Sequence, residues 1–219
     1  MPTPTTIDND TELSAVNSIL GSIGQSPITT LNFSNPETEF IYNILTEVSK
    51  DVQNEGWQFN LEENVTKTPN QTSGHDDEHK IVVDADEIRV NIHSDANQAK
   101  LIDTVIRYDE NDARRVYSLE ENKFDAFTAT TYKADVVSLY LFEKIPNVFQ
   151  RYITYRSAVR AATQLIANPQ LVQLLQLQEI TARANCLEYE GRQGDHSFFG
   201  LPNAKRIHSQ ILGRAQASG

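Results

Sequence analysis

Apolar residues recur at helical spacing near both ends of the chain and alternate with polar ones through its middle. Leu13, Val16, Leu20 and Ile23 form a stripe on a first helix that Asp10 can cap and that Gly21 and Gly24 weaken and end. Asn35-Pro36 starts a second helix, with Asn as N-cap and Pro at the first helical position. On it Phe40, Ile41, Ile44, Leu45, Val48 and Val52 share one face, and Gly56 closes it. The period then drops to two: Trp57, Phe59 and Leu61 alternate with Gln58, Asn60 and Glu62, which predicts a half-buried strand. Residues 64–80 read as polar loop, and further strands are expected at 81–84, 88–92, 101–108, 115–119 and 136–142. Helical spacing returns after Ile145-Pro146, with Phe149, Tyr152, Ile153, Val159, Ala162 and Leu165. Asn168-Pro169 opens a last helix carrying Leu171, Leu174, Leu175, Ile180 and Leu187 and ending at Gly191.

This order of elements predicts the α+β class. Residues 10–56 and 145–190 would form a four-helix bundle, and 57–144 an inserted antiparallel β module. Residues 1–9 are expected to be a flexible N-terminus and 191–219 an extended C-terminal tail.

Composition narrows the function. With 39% hydrophobic and 22% charged residues over 219 positions, the chain can bury a sizeable core. No apolar run reaches the roughly 18 residues of a membrane span, and MPTPTTIDND lacks the basic and apolar regions of a secretory signal. The single cysteine, Cys186, allows no internal disulfide and suits a protein made in a reducing cytoplasm; it reads as a packed or lumen-facing thiol rather than a nucleophile. The net charge of −11 argues against tight binding to nucleic-acid phosphates. Residues 191–219 carry four basic side chains against one acid, a balance of +3, which leaves −14 on the first 190 residues. There Arg192, Lys205, Arg206 and Arg214 accompany Phe198, Phe199 and Leu201, the pattern of a tail that docks on an acidic neighbour.

One stretch spells a catalytic motif. His75-Asp-Asp-Glu78-His79 has the H-x-x-E-H spacing in which two imidazoles hold zinc and the glutamate activates water. That chemistry needs both histidines on one helix face. Gly74 precedes the segment, Ile81-Val82-Val83 follows as a strand, and Asp76 and Asp77 are poor helix-interior residues. His75, Glu78 and His79 are therefore rejected as metal ligands in favour of a solvated loop. No nucleophile elbow, P-loop or dinucleotide fingerprint occurs, so no catalytic residue, metal or cofactor is assigned. Tyr152, Tyr155 and Arg156 read as core or interface residues rather than a base-stacking patch, and Trp57 as the anchor where bundle meets sheet.

Four blocks carry a resemblance. Ala15 to Pro27 reads A-V-N-x-I-L-x-x-I-G-x-x-P, and Val52 to Asn60 reads V-Q-x-x-G-W-x-F-N. With residues 136–153 and 182–190 in the same order, they resemble tail tubular protein A, the head-to-tail adaptor family of short-tailed bacteriophages. The 94–135 region and the HDDEH loop match poorly, and 191–219 scarcely at all. The resemblance implies a non-enzymatic virion protein of the tail or neck, made in the host cytoplasm. It further implies a homo-oligomeric ring of twelve copies between the portal and the tail nozzle (tail tubular protein B), with DNA passing through without specific binding. Another neck ring component such as a stopper, or a zinc hydrolase using HDDEH, are the alternatives. The charged surface suggests no large apolar patch, so the free chain is expected to be monomeric or weakly associated.

Overall fold

The computed structural model describes residues 11–75, 77–93, 101–166 and 168–193. Among them are four helices and two antiparallel sheets, the α+β class. Helix α1 (Glu12–Ser22) is capped by Thr11, whose hydroxyl accepts from the Ser14 N–H at 3.2 Å. Asp10, expected as the cap, lies outside the described residues, as do 1–9. Helix α2 (Pro36–Asn54) begins as its Asn-Pro pair predicts, with the Asn35 side chain accepting from the Glu37 N–H. Pro146 occupies the N-cap position of α3 (Asn147–Leu165), so that helix starts one residue later than its own proline. Helix α4 (Pro169–Gln193) opens on the Asn168 side chain, which accepts from the Gln170 and Leu171 N–H groups. It runs past Gly191, since a single glycine costs a helix only about 1 kcal/mol and does not by itself end it.

Helix α3 is the common neighbour, packing on α1, α2 and α4. Their shared core joins Val16, Ile19, Ile41, Leu45, Phe149, Ile153 and Ala161 to Trp57, Leu175, Ala182 and Cys186. A second cluster lies in the β region, around Ile81, Val90, Ile92, Val116, Phe127 and Val136.

The strands correct the expected boundaries. Residues 58–60 form a 3-10 turn instead of a strand, because the Asn60 amide turns inward to bond backbone carbonyls and Trp57 packs into the helical core. Strand β1 (Leu61–Lys67) occupies part of the expected polar loop. It is the edge of a four-stranded sheet ordered β1-β6-β2-β3, with β2 at Glu87–His93, β3 at Leu101–Ile102 and β6 at Tyr132–Ser138. An edge strand with one open face needs few apolar residues, and a bulge between Glu62 and Val65 interrupts its register. The expected strand 101–108 divides at Asp103: β3 pairs with β2, whereas β4 (Thr104–Tyr108) pairs with β5 (Arg114–Ser118). Residues 81–83 contact β5 through a single bridge, Val82 to Arg115, rather than forming a full strand.

Candidate functional site

The chain crosses between its two hydrophobic clusters at one joint, and buried amide side chains fix it. Gln53, on the last turn of α2, donates from Nε2 to the Tyr140 carbonyl at 3.1 Å and accepts from the Tyr140 N–H at 2.7 Å. Asn60 donates to the carbonyls of Gln53 at 2.9 Å and Ser138 at 3.0 Å. Gln150 on α3 donates to the Phe142 carbonyl at 2.7 Å. Each amide replaces the ladder bonds that the backbone gives up where β6 ends, so 139–142, expected to continue the strand, bends away into the 3-10 turn Phe142–Lys144. Gly56 ends α2 at φ +77°, and a Cβ there would collide with the Arg89 guanidinium reaching across from β2.

Trp57 anchors this joint, as its place in the sequence predicts. Its indole N–H donates to the Val52 carbonyl at 2.9 Å, and its ring lies 4.9 Å from that of Phe149. Arg183 of α4 sits 5.8 Å above the ring and donates to Glu55 at 3.0 Å and to the Tyr152 hydroxyl at 2.9 Å. Arg156 reaches the same two groups, so α2, α3 and α4 meet in one charged latch. Tyr152 is buried beneath it, whereas Tyr155 is exposed.

Among its described residues the HDDEH segment is not helical. His79 has φ 59°, in the left-handed region, and Glu78 bridges to Asn70. Glu78 accepts from the Gly74 N–H at 2.7 Å and lies 3.5 Å from the His79 Nε2; His75 Nδ1 accepts from the Asp77 N–H. Asp77 instead pairs with Arg115 at 2.9 Å, and Arg115 also reaches Asp109 at 3.3 Å. The N–H groups of Ala113 and Asn111, with Arg115 beside them, hold the Asp109 carboxyl below the usual carboxylate range. This loop is thereby pinned to the sheet by a structural ion network. Among the described residues no group of three or more His, Cys, Asp or Glu is placed to hold a metal.

Cys186 faces the α3–α4 contact, its thiol fully buried and 3.5 Å from the Val148 carbonyl. Burial pushes the thiol up to about 12, so little thiolate forms at neutral pH. At pH 8 an alkylating reagent should label the denatured chain and leave the folded one unmodified, as read by mass spectrometry. Rapid labelling of the native chain would mean that α4 lifts from α3 readily.

Of the expected docking residues, Arg192 is exposed and paired with Glu188 along α4. Phe198, Phe199, Leu201, Lys205, Arg206 and Arg214 lie outside the described residues. A surface that sequence reasoning missed lies on α4 itself. Leu175 turns into the core, but Leu174, Leu177 and Ile180 are 62%, 61% and 65% exposed, and Leu187 joins them. This corrects the expectation of a surface without an apolar patch. A second apolar feature is a groove of about 410 Å³ between α2 and residues 139–142, where Leu141 stands 75% exposed. Among the described residues no helix is long and apolar enough to cross a membrane.

Two cores are locked at one joint, and apolar side chains on α4 and at Leu141 stand uncovered. Such uncovered apolar faces suit a component of a larger assembly. The profile of the tail tubular protein family matches residues 13–196, so the chain belongs to that family, a structural component of the bacteriophage tail. No curated protein matches the sequence.

Proposed function

We propose that this tail tubular protein is the head-to-tail adaptor of a short-tailed phage. Twelve copies form a ring that joins the portal to the nozzle and lines part of the channel through which DNA leaves. The family match over residues 13–196 carries this reading, because it spans both the helices and the sheets. The charge supports it: −14 over the first 190 residues, part of it facing the channel, repels phosphates and lets the genome pass without sticking. In this reading residues 10–56 and 145–193 form the bundle, 57–144 project from it, and the segment after Gln193 docks on the portal or the next subunit through Phe198 and Phe199.

Native mass measurement with and without portal tests the proposal, together with electron microscopy of virions. The expected result is a monomer or weak oligomer alone, a ring on the portal, and density between portal and nozzle. Deleting 194–219 should leave the melting temperature nearly unchanged and abolish portal-bound rings. A tight, stable dimer in isolation, or density elsewhere in the neck, would overturn the adaptor assignment.

A further inference from the structure

Helix α4 is apolar on two sides. Leu175, Ala182 and Cys186 face α3, while Leu174, Leu177, Ile180 and Leu187 point the other way into solvent. A surface helix ordinarily carries charge on its outer side. This one has none between Pro169 and Gln178, where glutamines separate the leucines. Its next two charges belong to the inner flank: Arg183 bonds Glu55 and Tyr152, and Glu179 acts electrostatically on Arg156 of α3. Depletion of charge around an apolar centre is the compositional mark of an interface core.

The occupant follows from charge and shape. Two copies of a chain at −11 repel, so a contact between them favours surfaces that carry little net charge. The outer face of α4 from Leu174 to Ile180 is such a place, and the charges near its far end, Glu188 and Arg192, pair with each other. Elsewhere on the same chain lies its counterpart, the groove of about 410 Å³ between α2 and residues 139–142, with Leu45, Leu139 and Phe142 in its lining and Leu141 at its lip. Its polar lining includes Thr46 and Ser49 and the charged Glu12, Lys50 and Asp86, groups that can bond the glutamine amides flanking the leucines. A contact of α4 with α4 would leave groove and Leu141 uncovered. Seating the convex face of one copy in the concave face of the next covers both, and such a head-to-tail contact generates a ring when its rotation closes. We propose that the Leu174-Leu177-Ile180-Leu187 face of α4 docks into the α2/139–142 groove of a second copy, a contact that rests on the ring reading and specifies its surfaces.

The test uses the full chain with Leu177→Cys and Leu141→Cys, made together and separately, free at high concentration and bound to portal. Cys186 is buried and does not interfere. On oxidation the double variant should give a ladder of dimers, trimers and longer species, and each single variant should stay monomeric. Leu177→Asp should keep the wild-type melting temperature, since the side chain is exposed, and weaken self-association about tenfold or more by placing an unpaired carboxylate in the contact. Dimers from Leu177→Cys alone would reveal a two-fold α4–α4 contact and overturn the proposal, as would a double variant that gives no ladder in either setting. Portal-bound rings without a ladder sink this contact and leave the adaptor reading standing. A ladder from a chain that never binds portal does the reverse.

Discussion

Replacing Trp57 with alanine should lower the stability of the chain by about 3–5 kcal/mol, the usual loss for a large aromatic removed from a packed site. The indole is 7% exposed and touches three elements at once: Val52 through its N–H, Phe149 through its ring and Arg183 across its face. For a chain of this size the change corresponds to a fall in melting temperature on the order of 10 °C. Trp57→Phe keeps most of the ring contact and loses the hydrogen bond, so it should cost only about 1–2 kcal/mol. Thermal and denaturant unfolding of both variants decide the matter. If Trp57→Ala melted within about two degrees of wild type, the ring would not be holding the joint together.

The second large effect is expected at Gln53. Gln53→Ala leaves both backbone groups of Tyr140 without their partner and opens a small void, an expected loss of about 2–3 kcal/mol. Gln53→Glu is the sharper probe, because it keeps the acceptor for the Tyr140 N–H and removes the donor to its carbonyl. A carboxylate placed there faces a carbonyl oxygen in a buried setting, so its folded-state pKa is raised above its unfolded value. The destabilisation should then be largest at neutral pH and shrink as pH falls and the acid regains a proton to donate. Equilibrium unfolding of the variant between neutral and mildly acidic pH, each point compared with wild type, reads this directly. A deficit independent of pH would mean that the glutamine acts through its shape alone.

What the sequence made legible follows from where local chemistry and tertiary context agree. Asn35-Pro36 and Asn168-Pro169 state a cap and a helical φ in two residues, and both helices begin there. β1 escaped detection because LEENVTK has only Leu61 and Val65 to show, and β6 supplies the pairing that the pattern cannot. β6 itself was displaced along the chain: VVSLYLF straddles the end of the sheet, and its second half belongs to the joint. Gln53, Asn60 and Gln150 look like surface residues by type, yet Gln53 continues the stripe of Leu45, Ser49 and Val52, the one hint that it faces inward. On α4 the helical spacing alone does not say which leucines turn inward: Leu175 packs into the core, whereas Leu174, about 100° away around the helix, is exposed. The anchor at Trp57 was legible from its place after Gly56; the expected tail residues beyond Gln193 lie outside the described chain.

The two clusters differ in how soon they can exist during synthesis. The β cluster draws its members from residues 65 to 136, a continuous stretch that is complete once β6 has left the ribosome. The helical core draws from Ala15 to Phe59 and again from Phe142 to Tyr189, so α1 and α2 emerge long before the partner that covers them. Ile41, Leu45 and Val48 therefore wait, uncovered or loosely paired with α1, while the intervening strands are made. Completing the helical core requires α3 to reach two helices separated from it by the whole β region, a loop closure with its own entropic cost.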